Sequence, residues 1–256
     1  MGNLQIFFRG YTIIMHHARA SRQDPPEILA IIPARGGSKG IPKKNIRPLH
    51  DKTLIEYSID AAKGSKFLTR IVVSTDNDEI AAISRENTVD VIIRPEEIAR
   101  DASSVVDAII HATSVLKERD NFLPGVIVLL QPTSPMRNAG DIDNAIRLFL
   151  EHRCDSVISV CETDHSPYWC FTLNQQKVIP LFSKEISRKR RQDLPKTYQP
   201  NGAIYVGTLD FIIKNAGFVS DNTLAYIMPK TRSIDIDTPL DLALAEFLMA
   251  EPNNLQ

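Results

Sequence analysis

Little in this sequence is concentrated in one place. Cysteine is scarce: Cys154, Cys161 and Cys170 are odd in number and lack CxxC spacing, so they are read as reduced core or surface thiols rather than a disulfide framework or metal ligands. Net charge is nearly absent, with 30 Lys+Arg against 31 Asp+Glu, which argues against nucleic acid or an anionic membrane as partner. Any charged site must be local. No apolar run reaches the roughly 20 residues a bilayer span needs. Internal repeats and low-complexity tracts are missing too. What remains is a 256-residue chain with 43% hydrophobic residues, enough to bury the core of one large domain or of a domain with an insertion.

The first 27 residues differ in character from the rest of the chain. Their apolar stretch is broken by Arg9 and shows no small-residue cleavage pattern, and Ile6 stands where a myristoylation signal wants Ser or Thr. Residues 1–27 are expected to be a tail or an over-extended start, with Met15 as an alternative start, and 251–256 a short second tail. With no targeting segment visible, a cytoplasmic enzyme is the expectation. From residue 28 the chain alternates: ILAIIPA, RIVVSTD, VDVIIRP and GVIVLLQPTSP read as buried strands, and TLIEYSIDAAKGS, DEIAAISREN, SVVDAIIHATSVLKER and DIDNAIRLFLEHR as amphipathic helices. Strands interleaved with helices predict βαβ units and a doubly wound, mostly parallel α/β sheet, with ligands at the carboxyl ends of the strands. The rhythm changes after about residue 156. SVISVCET, YWCFTLN and KVIPLF come in succession with little helix between, and ISRKRRQDLPKTYQPNG is polar and Pro-punctuated before AIYVGT resumes a strand. An antiparallel insertion at about 160–200 within a 28–250 domain accounts for this.

Two constellations carry chemistry. IIPARGGSKGIPKKN (31–45) leaves the first of these strands with the cations Arg35, Lys39, Lys43 and Lys44 and the glycines Gly36, Gly37 and Gly40. Glycines let backbone N–H groups approach an anion closely, so a polyphosphate is the expected guest. The spacing fits neither G-x-x-x-x-G-K-[ST] nor G-x-G-x-x-G. The second constellation is RSIDIDTPLDL. On an extended backbone Asp235 and Asp237 project from one face, and Mg²⁺ suits two carboxylates completed by phosphates and waters. Thr238, Pro239 and Asp241 supply the cap of the following helix, which leaves both carboxylates free. A triphosphate-holding loop opposite a metal pair suggests phosphoryl or nucleotidyl transfer.

These stretches, with VVSTD (72–76), LLQPTSPMR (129–137), RRQDLPKTYQPNGAIYV (190–206) and DIDTPLDL (235–242), resemble the acylneuraminate cytidylyltransferases over roughly residues 28 to 250. The resemblance implies a Rossmann-like nucleotidyltransferase that joins CTP to a nine-carbon 2-keto sugar acid with Mg²⁺. It also implies a homodimer whose inserted antiparallel segment reaches the partner's site. It assigns Arg35, Ser38, Lys39, Asn45, Ser74 and Asp76 to CTP, with Asn45 and Asp76 otherwise turn or cap residues. Gln131, Thr133, Ser134, Arg191, Tyr198 and Asn201 fall to the sugar acid, with Arg191 matched to its carboxylate. Asp235 and Asp237 are left to the metal, and Arg35, Lys43 and Asp237 to catalysis. Lys44 is expected in solvent; Arg188, Lys189 and Arg190 in solvent or on a neighbouring subunit. His111, His152 and His165 receive no role. The expected reaction is in-line attack of the anomeric hydroxyl on the α-phosphorus, its proton taken by metal-bound hydroxide or by Asp237. Legionaminic and pseudaminic acids are the alternative acceptors, octulosonic acid the least favoured, and a non-catalytic nucleotide-sugar sensor the alternative outside enzymes.

Overall fold

The structure, a computed structural model, describes residues 4–8, 11–15, 26–38, 40–100 and 103–250. Lys39, expected at the triphosphate, and the 251–256 tail lie outside the described residues. Within 1–27 the described backbone comprises β1 (Leu4–Phe8) and β2 (Tyr11–Met15), an antiparallel pair, and residues 26 and 27.

The alternation read from the sequence is present. In chain order come β3 (Ile28–Pro33), the short β4 (Pro48–Leu49) and β5 (Lys52–Thr53), α1 (Leu54–Lys63), β6 (Arg70–Thr75), α2 (Asp78–Glu86) and β7 (Asp90–Ile93). Next are α3 (Val105–Asp120), β8 (Val126–Leu129), α4 (Ala139–Glu151) and β9 (Ser156–Glu162). The hairpin β10 (Phe171–Asn174) and β11 (Lys177–Pro180) precedes β12 (Tyr198–Gly207), α5 (Leu209–Asn215), β13 (Thr223–Ile227) and α6 (Pro239–Ala250). Short polar side chains start the helices: Asn77, Ser104, Asn138 and Thr208 each accept a first-turn N–H that would otherwise be orphaned. Asn77, not Asp76, caps α2.

Seven strands form the central sheet in the order β13-β9-β12-β8-β3-β6-β7. All neighbours run parallel except β12, which is antiparallel to both β8 and β9. The period-2 geometry of a strand sorts the core onto two faces. Ile28, Ala30 and Ile32 of β3 pack with α1, α2 and α4 on one side; Leu29 and Ile31 pack with α3 and α5 on the other. Helices on both faces of a mainly parallel sheet make this the doubly wound α/β architecture. A third, smaller cluster joins Ile41, Leu49 and Leu54 to Ile236, Leu242 and Ala245. It pins the segment after the glycine-rich loop against the segment that carries Asp235 and Asp237.

One boundary differs from expectation. YQPNG, read as loop because of its proline and Asn-Gly, already belongs to β12, whose register on β9 shifts between Pro200 and Tyr205. Gly202 sits in that irregularity with φ +73, a backbone conformation open to glycine and strained for other residues.

Candidate active site

The carboxyl ends of β3, β6, β7 and β8 share one edge of the sheet, where doubly wound folds place ligands. Residues 35, 37, 38, 40, 44 and 45 after β3, 94, 98–100 and 103–105 after β7, and 131–133 after β8 line, with Asp237, a cleft of about 490 Å³. Arg35 and Ser38, expected at the triphosphate, and Asn45, expected at the nucleotide, are in its wall, as are Gln131 and Thr133. Asn45 is buried and donates from Nδ2 to the Arg35 carbonyl at 2.9 Å, so it closes the base of the loop while facing the cleft. Asp76 accepts Gly36 N–H at 2.9 Å and thereby fixes the loop's start from beneath.

The adjacent lysines exchange the places expected of them. Lys43 adopts a left-handed backbone conformation, φ 53, which turns its ammonium onto Glu79 at 2.7 Å, away from the cleft. Lys44, expected in solvent, has 14% of its side chain exposed, lines the cleft and pairs with Asp237 at 2.7 Å. The loop glycines also do other work than expected. A Cβ on Gly36 would meet Asn77 at 2.8 Å, and one on Gly40 would lie 2.2 Å from the Asp237 carbonyl oxygen. At both positions the missing side chain admits protein rather than ligand.

Arg94 carried no motif, yet it is the residue that sequence reasoning missed. It is buried at the wall of the cleft, donates from Nη2 to the Ser74 carbonyl at 3.0 Å, and its Nε has no hydrogen-bond partner among the described residues. Burial pushes the guanidinium below its usual range, Asp76 opposes this, and the Arg35 charge adds to it. Two arginine cations facing one space are relieved by an anion between them. The available signal was the position of a lone arginine at the carboxyl end of an apolar strand. Ser74 itself is fully buried and contributes its carbonyl.

The remaining expectations divide. Around Gly202 three oxygens converge: an added Cβ would lie 2.7 Å from Gln131 Oε1, 3.0 Å from Ser134 Oγ and 3.2 Å from Asp235 Oδ2. Ser134 is buried and donates to the Asn201 carbonyl at 2.9 Å. Asn201 is buried as well: its Oδ1 accepts from Ser159 Oγ at 2.6 Å and its Nδ2 donates to Ser233 Oγ at 2.9 Å. With its polar atoms spent inside, Asn201 is scaffold for the bulge rather than part of the cleft wall. Tyr198 is exposed on β12 opposite Glu162, and Arg191 lines a second cavity of about 260 Å³ with Glu162, Asp164 and Lys196. Neither lines the first cleft.

Asp235 and Asp237 flank buried Ile236, whose N–H donates to the Thr133 carbonyl at 2.7 Å. Burial first, and the charge of Asp237 second, push the Asp235 carboxyl above its ordinary range, against a hydrogen bond from Thr133 that lowers it. Two carboxyl groups flanking one residue at the cleft suit a cation between them. Among the described residues no group of three or more His, Cys, Asp or Glu is gathered as a metal set. A two-carboxylate donor set fits a hard cation such as Mg²⁺, which takes one or two carboxylates and completes its shell with phosphate oxygens and waters.

N-acylneuraminate cytidylyltransferase of Escherichia coli is 35% identical over 230 residues, 89% of this chain and 53% of that protein, so the chain spans about half the length of that relative. CMP-N,N'-diacetyllegionaminic acid synthase of Legionella pneumophila is 38% identical over 228 residues, 87% of this chain and 96% of that one. The solved structure of CMP:2-keto-3-deoxy-manno-octonic acid synthetase shares the fold, with a TM-score of 0.64 at 17% identity over 88% of this chain and 99% of that one. The family model described as cytidylyltransferase matches residues 29–249. The chain therefore belongs to the cytidylyltransferase family.

Proposed function

We propose that this chain transfers CMP from CTP to the anomeric hydroxyl of a nine-carbon 2-keto sugar acid, releasing pyrophosphate, and that it works in the cytoplasm as a homodimer. The observation that carries the reading is one cleft with a cationic loop on one wall and Asp237 on the other, Asp235 beside it. Arg35, Ser38, Lys39 and Arg94 bind the triphosphate and Asn45 fixes the loop around the nucleotide. Lys44 takes the phosphate-facing role first expected of Lys43. Gln131 and Thr133 orient the acceptor at the far end of the cleft.

In the reacting complex the anomeric hydroxyl gives up its proton to Asp237, the carboxylate in the cleft wall, and its oxygen forms a bond to the α-phosphorus while the bond from that phosphorus to the bridging oxygen of the β-phosphate breaks. The electron pair leaves on pyrophosphate, where the loop cations stabilise the charge that develops. Asp235 and Asp237 would hold Mg²⁺, which when bound neutralises phosphate charge and orients the reacting oxygens. Lys44 balances Asp237 in the structure, and a metal with the triphosphate gives both groups new partners of opposite charge.

Arg191 stands on a segment whose neighbouring hairpin, β10 and β11, exposes Phe171, Leu173, Val178 and Ile179. Exposed apolar patches of this kind mark interaction surfaces. A second copy covering this hairpin would bring Arg191 and Tyr198 to the acceptor of a neighbouring cleft, the role expected of them from the resemblance.

The test is pyrophosphate release with Mg²⁺, crossing CTP, UTP and ATP against N-acetylneuraminic, N,N'-diacetyllegionaminic and pseudaminic acids. Release with CTP and a nine-carbon acid is expected. CTP binding with no release from any acid would replace the enzyme by a nucleotide-sugar sensor. The Legionella relative, similar along nearly its whole length, makes N,N'-diacetyllegionaminic acid the second reading for the acceptor.

A further inference from the structure

The two reactive segments, 131–134 and 235–237, leave different parts of the sheet and share the backbone bond from Ile236 to Thr133 and a hydrogen bond between Thr133 and the Asp235 carboxyl. Contacts between the segment tips alone do not set side-chain positions to the fraction of an ångström that oriented chemistry requires. The roots of both segments, however, meet at a buried carboxylate. Asp141, in the first turn of α4, is 1% exposed. Its Oδ2 accepts Asn138 N–H at 3.1 Å and Arg232 Nε at 3.1 Å; its Oδ1 accepts Arg232 Nη2 at 2.9 Å and the Tyr226 hydroxyl at 3.0 Å.

Two of these partners, Asn138 and Arg232, lead toward the cleft. Asn138 comes directly after Arg137, which is 3% exposed and donates from Nη1 to the carbonyls of Gln131 at 2.8 Å and Ser134 at 2.5 Å. The Nε and Nη2 of Arg137 have no hydrogen-bond partner among the described residues. Burial pushes this guanidinium down to about 9, and Asp141 is the charge that opposes the fall. On the other side, Arg232 precedes Asp235 by three positions in the sequence, with Ser233 tied to Asn201 at 2.9 Å between them.

We propose that the Asp141–Arg232 pair is a positioning device for the transfer reaction, setting where Asp235 and Asp237 stand relative to Gln131 and Thr133. Neither member lines the cleft, so neither is a catalytic residue. The planar guanidinium fork fixes angle as well as distance, which a lysine point charge at the same place does not. The inference rests on the reading of Asp235 and Asp237 as the metal-holding pair. Neither residue bonds the two carboxylates; Arg232 acts through the three-position link to Asp235, and groups that orient metal ligands characteristically govern metal affinity and rate while leaving the ligands themselves unchanged.

The experiment compares the full-length protein with Arg232→Gln and Arg232→Lys, Arg232 being the partly exposed member of the pair, and with Asp141→Asn, which removes the buried charge and keeps an oxygen for the helix cap. Mn²⁺ uptake by the protein–CTP complex without acceptor is followed by water-proton relaxation, alongside kcat, KM and melting temperature. In Arg232→Gln the half-saturating Mn²⁺ concentration should rise and kcat fall, each by about tenfold or more. CTP affinity measured without metal should stay at the wild-type value, with Arg232→Lys intermediate and Asp141→Asn matching the glutamine variant. A lowered melting temperature with Mn²⁺ uptake and kcat unchanged would overturn the proposal and leave the pair as a strut for α4. If the wild-type complex itself takes up no Mn²⁺, the metal reading of Asp235 and Asp237 fails and the proposal falls with it.

Discussion

Lys43 and Lys44 share a motif and a charge but not a direction. The left-handed backbone at Lys43 sends one side chain to Glu79 and the next to Asp237. Motif spacing gives the loop and its chemistry, but a one-residue choice of this kind depends on a backbone dihedral that composition does not encode. Replacing Lys44 by Ala should therefore lower kcat by about 10²-fold, the usual scale for removing one preorganised charge donor. Lys43→Ala should stay near wild type, since exposed ion pairs contribute about 0–1 kcal/mol. Steady-state kinetics of the two variants check this, and equal losses would return Lys43 to the site. Asn201 and Ser134 differ from expectation for the opposite reason. Each is a polar residue inside a diagnostic motif, and the motif needs it to bond other protein groups. Arg94 was illegible because nothing around it in sequence signals burial; its role emerges when β7 ends beside the loop from β3.

At the scale of elements, most of the architecture was legible because helix and strand periods differ and the chain alternates between them cleanly. What the sequence concealed was β12. A proline and an Asn-Gly pair are turn signals locally, but here they sit in a strand irregularity that the flanking strands hold extended. The loop after β3 was legible as glycine-rich and not as packed. Its Gly40 lies against the Asp237 backbone so closely that Gly40→Ala should cost about 1–3 kcal/mol, as overpacking does, and raise KM for CTP as the loop shifts. Gly37→Ala, where an added Cβ meets nothing within 4 Å, should leave stability unchanged. Denaturant titration of the two proteins separates them, and equal stabilities would show that the contact yields freely.

At the scale of the whole molecule, the central sheet presents a cleft on one edge and the separate β10–β11 hairpin an uncovered apolar surface. Leu173 and Val178 face each other across β10 and β11, and both are exposed, at 71% and 63%. Putting Asp at both positions should convert the proposed dimer to monomers in sedimentation velocity with the circular-dichroism spectrum intact. A wild-type protein that already sediments as a monomer at micromolar concentration would remove the dimer from the account. Of this assembly the sequence offered the change of rhythm after residue 156 and the resemblance, since a face that is apolar and uncovered looks, residue by residue, like any strand of a core.

The small apolar cluster around Ile236 has a consequence in time. Ile41, Leu49 and Leu54 are made well before Ile236, Leu242 and Ala245, which complete their packing. A nascent chain that has already formed β3, β6 and β8 still holds a glycine-rich loop with no floor beneath it. On the proposed function, the loop would become able to grip a triphosphate when the residues around 245 have emerged, and the same late event would bring the carboxylates to face it.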